Sequence, residues 1–372
     1  MSEILLPIIG LLVVLTPLVF VHELGHYWVA RKNGVRVEVF SVGFGKEIFG
    51  WTDKLGTRWK FSLIPLGGYV KMFGQSDITS EVDESFLTNE EQSVSFSHKR
   101  LGQRAAIVAA GPIANILFAV LILAISFSTI GQSFTPAKIT GIVSGSVADE
   151  AGLKEDDFFV EVAGSKVSRF EDVAQLVQLH PGIPINISIQ REGSIIKIPI
   201  TPSVVIASDG LGAEIKIGRI GVRGTAREFI KHGPIEAVWQ SLRATAHLST
   251  VMVTGVAQII SGDRSAKQLG GPIRIAQISG KAAETGIASL IFIAALLSVN
   301  LGLINLLPIP LLDGGHLLFY AYEFVFRAPP HPKVVDIGLK LGLVLLISLM
   351  LFATYNDLEG IYNDLVNDLF VK

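Results

Sequence analysis

The stretch VFVHELGHYW, residues 19–28, sets His22, Glu23 and His26 at the end of an apolar run that begins at Ile4. Hydrocarbon is a costly place for ionisable side chains, and where they occur there they mark functional sites by default. On a helix, residues i and i+4 share a face. His22 and His26 can therefore ligate one zinc ion, each through a ring nitrogen at about 2.0–2.1 Å. Glu23, one residue on, falls beside the open coordination position, where a carboxylate can take a proton from water. Catalytic zinc usually takes three protein ligands and keeps a fourth position open, so the histidine pair needs a third partner. Asp313, in NLGLINLLPIPLLDGGH, is the strongest candidate. It follows the 28 uncharged residues 285–312, and Gly314 and Gly315 after it allow close backbone approach. A chance HExxH match or a helix-capping aspartate would explain either motif alone; the two together point to a metal centre.

The elements that would carry these residues are membrane helices. The 372 residues are 49% hydrophobic and only 17% charged, with a mean hydropathy of +0.51, whereas a soluble chain is about a quarter charged. A net charge of −2 gives no electrostatic footprint for nucleic acid. There are no cysteines, so a metal must be held by His, Asp or Glu. Four stretches are long enough to span, given a need for about 20 apolar residues: residues 1–30, 101–130, 285–312 and 334–356. Lys and Arg cluster after the first (Arg31, Lys32, Arg36), before the second (Lys99, Arg100, Arg104) and between the last two (Arg327, Lys333, Lys340). The positive-inside rule then puts residues 31–100 and 313–333 in the cytoplasm, and the N-terminus and the acidic tail 357–372 outside.

Between the spans the pattern changes. Residues 35–74 alternate like strands and read as a small β-sheet at the membrane surface; residues 75–97 read as a polar loop. Residues 131–205 read as a compact aqueous domain: a strand at KITGIV, a short helix ending at Gly152, two strands in DFFVEVAGSKV, a helix before Pro181, and a hairpin turning at 191–194. That order, with GSVADEAGLKEDDFFVEVAGSKV, resembles a PDZ domain of the bacterial protease-associated type. Residues 206–284 read as a linker with an amphipathic helix, whose part 244–261 is ambiguous between span and surface helix. If HELGH and Asp313 are to share one membrane face, 244–261 does not cross. The expected fold is an α-helical multi-pass membrane protein of about four spans, with an inserted PDZ-like α+β domain and a small membrane-associated sheet.

HELGH in the first span together with NLLPIPLLDGG closing the third is similar to the site-2 protease family of intramembrane zinc metalloproteases. The PDZ-like insertion, FSVGFG, PLGGYVKM and GPIANILFA narrow the resemblance to the bacterial RseP type, over nearly the whole chain, although some members carry two PDZ domains and this chain has one. The resemblance implies His22, His26 and Asp313 as ligands of one Zn2+ per chain and Glu23 as catalytic base. It implies Asn305 as a substrate or oxyanion donor. Asn115, Gly67 and Gly68 are read as structural or supporting residues. The implied substrates are membrane segments of single-span proteins, such as anti-sigma factors and remnant signal peptides, cut in the bacterial inner membrane after a first cut elsewhere. The active site would lie near the cytoplasmic face and the PDZ-like domain in the periplasm, where it would either bind a peptide C-terminus or filter substrates by size. Two other readings use the same residues. A non-catalytic PDZ-bearing scaffold has no need of Glu23, and a metal transporter calls for polar residues along several spans, which the second and fourth lack.

Overall fold

The computed structural model describes residues 2–75, 87–208, 214–224, 228–262, 266 and 270–370. Helix α1 (Ser2–Lys32) is followed by strands β1 (Val37–Thr52) and β2 (Arg58–Met72), then α2 (Asn89–Val94) and α3 (Leu101–Thr129). Next come β3 (Gln132–Phe134), β4 (Ile139–Ile142), α4 (Val147–Glu150), β5 (Phe158–Val162), β6 (Ser165–Lys166) and α5 (Phe170–Gln178). The strands β7 (Ile185–Arg191), β8 (Ser194–Ile200), β9 (Ser203–Ser208), β10 (Glu214–Arg219), β11 (Val222–Gly224) and β12 (Glu228–Ile230) follow. The chain ends in helices α6 (Pro234–Ser261), α7 (Pro272–Thr285), α8 (Ile287–Asn305), α9 (Asp313–Phe326) and α10 (Pro332–Phe370). Among the described residues five helices are long and apolar enough to cross a membrane: α1, α3, α6, α8 and α10. The chain divides into two compact units, Met1–Ser126 with Ile235–Lys372, and Phe127–Pro234.

In the first unit each strand is used twice. Residues 37–42 pair with 68–72 (Val37↔Met72 to Val42↔Gly68) and also with 58–61 (Val39↔Arg58 to Val42↔Phe61). Residues 49–52 pair with 58–61 (Phe49↔Phe61 to Thr52↔Arg58). Among the described residues, Gly68–Met72 pairs on one side only and forms an edge of the sheet. A cluster of Ala30, Val35, Val37, Met72, Phe96, Ile107 and Val108, with Leu317 and Tyr320 against it, fastens α1, the sheet, α3 and α9 together. Antiparallel packing of α1 on α3 brings Gly25 onto Ala110 with no room for a side chain between them.

Several boundaries differ from the expectation. The helix of the third span stops at Asn305 rather than 312, because Pro308 and Pro310 lack the N–H that would continue it. Residues 313–333 hold α9 rather than a loop, and the tail from 357 continues α10 as helix through Phe370. Of the loop 75–97, residues 76–86 lie outside those described, while 89–94 form a helix. That helix starts with a capping box in which Thr88 and Glu91 satisfy each other's backbone donors. The stretch 206–284 is not a linker with one helix: it contains β9–β12 together with α6 and α7. The inserted unit runs past 205 because β11 pairs with β4 and Ile220 joins its core.

The inserted unit has its own core, with Ile139, Phe159, Val162, Val173, Ile187 and Ile189 among its buried side chains. From β4 to β8 its elements fall where the sequence puts them. The 191–194 hairpin turns through Glu192 (φ 49°) and Gly193 (φ 82°), the two left-handed positions a tight two-residue turn needs. Asp157 is buried (1% exposed) and accepts from Arg191 Nε and Nη2 at 2.7 Å each and from the Lys154 N–H at 2.8 Å. Burial alone would raise its pKa, but these donors hold it below the ordinary carboxylate value. A folded pKa below the unfolded one stabilises the unit above about pH 4 and ceases to as pH falls through the folded value. Arg191→Met leaves that carboxylate buried and unpaired. It should destabilise the unit by about 3–5 kcal/mol, read as faster limited proteolysis within 127–234 of the full chain at pH 7. The difference from wild type should shrink at pH 3.

Candidate metal centre

His22 and His26 lie one turn apart on the inner face of α1 and are buried. Asp313, first residue of α9, meets them: His22 Nε2 lies 3.3 Å and His26 Nε2 3.5 Å from Asp313 Oδ2, and the two Nε2 atoms lie 3.3 Å apart. Tetrahedral coordination at about 2.0–2.1 Å sets ligand atoms about 3.3–3.4 Å from one another, so this triangle has the dimensions of three corners of a zinc shell. The donor set, two imidazole nitrogens and one carboxylate oxygen, is also one that zinc takes in catalytic sites. Among the described residues this is the one cluster of three or more His, Asp or Glu side chains whose ligand atoms converge in this way.

Helix α3 backs the two rings. The His26 Nδ1–H donates to the Ile107 carbonyl at 2.9 Å, which leaves the lone pair on Nε2, facing the triangle. Gly111 makes this possible, since a Cβ there would land on the His26 ring at Nε2. Four residues on, Asn115 is fully buried, and its side-chain amide lies 3.3 Å from His22 Nδ1. Asn305, at the end of α8, brings its amide to 3.4 Å from His22 Nε2.

Asp313 is delivered by a tight connection. Leu311 has φ 96°, a strained region for a residue with a side chain. Gly314 and Gly315 lie against the carbonyls of Leu306, Leu307 and Ile309, where no Cβ would fit. The helix that starts there is tied to α3 by Arg104 and Glu323 at 2.6 Å. Glu23 is buried and packs on the sheet edge: a Cβ at Gly68 would lie 2.9 Å from Glu23 Cγ and 2.6 Å from the Ser41 carbonyl. Gly67, at φ 149°, lies under the Phe44 ring.

A cavity of about 1010 Å³ opens from the triangle, lined by His22, Glu23, His26, Asn305 and Asp313, by the edge residues Gly67 to Met72, and by Leu311, Leu312 and His316. All eight residues singled out in the sequence thus gather at this centre. His98, His180, His232 and His331 bond locally instead, to Ser97, Leu176, Gln132 and Lys333, and His247 is exposed. Sequence reasoning passed over Gly111 and the Ile107 carbonyl. The only available signal was the glycine of GPIAN, which reads as helix packing until His26 is placed against it.

Gly111→Ala separates two effects. Helix propensity alone favours alanine by about 1 kcal/mol, yet its methyl must displace the His26 ring. Zinc affinity should fall by about 10–100-fold, measured by chelator competition on the purified protein, while the apo protein should lose no more than the overpacking cost of about 1–3 kcal/mol.

Comparison with known proteins agrees with this geometry. The model of Peptidase family M50 matches residues 10–349. A protein of Agrobacterium fabrum is 43% identical over 361 residues, covering 95% of this chain and 96% of its own. One of Rhizobium meliloti is 43% identical over 359 residues, covering 94% and 96%, and one of Campylobacter jejuni is 37% identical over 353 residues, covering 94% and 93%. Each of the three is named a "Putative zinc metalloprotease". With helices fit to cross a membrane and a triangle of zinc dimensions, the chain belongs to peptidase family M50, the site-2 proteases, and is a zinc metalloprotease of the membrane.

Proposed function

We propose that this chain hydrolyses peptide bonds inside the membrane segments of single-span proteins, with His22, His26 and Asp313 as zinc ligands and Glu23 as general base. The observation that carries the reading is the 3.3–3.5 Å triangle of ligand atoms opening onto a cavity that Glu23 also lines. Zinc bound there supplies Lewis acidity, which acidifies water and polarises a carbonyl. Glu23 accepts the proton of the attacking water and passes it to the leaving amine. Asn305, its amide 3.4 Å from His22 Nε2, donates to the carbonyl oxygen as charge develops on it.

A substrate helix hides its carbonyls in i to i−4 bonds and must unwind to react. The one-sided edge Gly68–Met72 lines the same cavity and offers the unwound segment a row of backbone donors and acceptors, so strand addition is the docking mode. Exposed Ile48, Phe49, Trp51, Leu55 and Leu63 at the far end of the sheet suit contact with the bilayer. Substrates of this kind include anti-sigma factors and remnant signal peptides already trimmed by a first protease. The inserted unit has the element order of a PDZ domain. Between α5 and residues 217–222 lies a cleft of about 160 Å³, the size that takes a benzene-sized group. Of the two roles, size filtering is the one the family resemblance implies for this unit.

Four crossings, by α1, α3, α8 and α10, fit the packing best. Phe127 and His232 are hydrogen bonded to each other, so the chain leaves the inserted unit beside the end of α3 where it entered. The start of α7 is held by Asp357, which accepts from Gly271, Ile273 and Arg274 N–H at 2.9–3.1 Å. Asp357 is about 22 Å along α10 from Gly342, which packs on Pro310 near the metal centre. Gly280 of α7 packs on Pro7 of α1, likewise about 22 Å from His22. Both ends of α6 therefore lie on the side away from the ligands, the arrangement of a helix that does not cross. With the basic clusters inside, the metal centre lies toward the cytoplasmic face of the bacterial inner membrane.

Glu23→Gln should retain zinc and lose about 10²–10⁴-fold in cleavage of a membrane-peptide substrate; full activity in that variant rejects Glu23 as base. Single prolines at positions 69–71 should slow cleavage with zinc content unchanged, and wild-type turnover would rule out strand addition. The chain has no cysteine, so Gly233→Cys and Gly262→Cys can be labelled singly in intact cells. Both should react from the same, outer side.

A further inference from the structure

The side chain of Asn115 is fixed before it reaches the metal centre. Its backbone carbonyl accepts the Ser298 hydroxyl at 2.7 Å, and Gly302 of α8 lies against its Cβ at 3.5 Å and against the Pro112 carbonyl at 2.9 Å, measured from an added Cβ. The amide is fully buried. One end meets His22 Nδ1 at 3.3 Å, and the other, Oδ1, has no hydrogen-bond partner. A half-turn of the amide exchanges its oxygen and nitrogen, and either orientation leaves one atom in the same partnerless spot. The choice therefore falls to the contact with His22.

If the amide nitrogen faces His22, Nδ1 must accept, and the neutral ring carries its proton on Nε2. That proton would sit inside the triangle, on a nitrogen 3.3 Å from both His26 Nε2 and Asp313 Oδ2, where a metal needs a lone pair. If the amide oxygen faces His22, Nδ1–H donates to it and the Nε2 lone pair points into the triangle. His26 already has this arrangement, its Nδ1–H held by the Ile107 carbonyl. Both rings would then be oriented by acceptors on the same helix, α3, eight residues apart.

We propose that Asn115 presents Oδ1 to His22 Nδ1–H and is a positioning residue that sets the His22 tautomer for metal binding. The inference rests on the reading of His22, His26 and Asp313 as the zinc ligands. Such outer partners of ligating histidines typically contribute 10–100-fold to metal affinity.

The test uses the purified full chain with zinc alone as the probe, by chelator competition, in wild type, Asn115→Leu and Asn115→Asp. Leucine keeps the volume and removes the acceptor, so affinity should fall by about 10–100-fold. Aspartate keeps an acceptor and removes the donor, so affinity should stay within a few-fold of wild type. Should either variant fail to fold, ¹⁵N-histidine labelling of the zinc-loaded wild type reads the tautomer directly, with a proton expected on His22 Nδ1. Wild-type affinity in the leucine variant, equal loss in both variants, or an unprotonated Nδ1 would overturn the assignment while leaving the zinc site standing. Zinc-free wild type would overturn both together.

Discussion

Three ligand atoms drawn from the two ends of the chain must come within about 3.3–3.5 Å of one another, in a buried setting where an unpaired carboxylate or a misplaced imidazole proton is expensive. The rest of the first unit answers to that constraint. Helix α1 supplies two ligands on one face, and α3 is pressed against it at Gly25 and Gly111 so closely that side chains are excluded. The proline-rich connection after α8 turns the backbone through a strained leucine to start α9 on Asp313, and Arg104–Glu323 ties that helix back to α3. Rigid elements suit such a centre, because a ligand set about 1 Å too loose is present without being functional.

The proposed reaction also requires water and a peptide to reach this centre. The cavity that opens from the triangle has room for both, and its walls divide the work: ligands and Glu23 on the helices, a strand edge on the sheet. Glu23 and Gly68 touch, so the proposed base and the proposed docking edge are parts of one packed contact. A shift of the edge would move the base as well, which links how a substrate is held to how it is cut.

Much of this was legible in the sequence. The HELGH spacing predicted a shared helical face, the uncharged run before Asp313 predicted a second approach from the membrane, and the two glycines after it predicted a close backbone approach, which the structure makes against Leu306 and Ile309. The inserted unit was legible from β4 to β8 because alternation, caps and turn residues are local signals. What escaped was non-local. The helix after Gly286 was read through Pro308 to 312 because its apolar run has no break, although proline ends helical bonding. The inserted unit was cut at 205 because the pairing of β11 with β4 joins segments about 80 residues apart. Gly111 carried no chemical signal at all; its meaning comes from a histidine that lies 85 residues earlier and only reaches it in three dimensions.

X-ray absorption at the zinc edge of the purified, cleavage-competent protein tests the central claim most directly. A centre built from His22, His26 and Asp313 predicts four nitrogen or oxygen neighbours at about 2.0–2.1 Å, with the multiple scattering of two imidazoles and loss of one in His26→Ala. Six-coordinate zinc, imidazole scattering unchanged by removal of His26, or full cleavage by protein that contains no metal would contradict it.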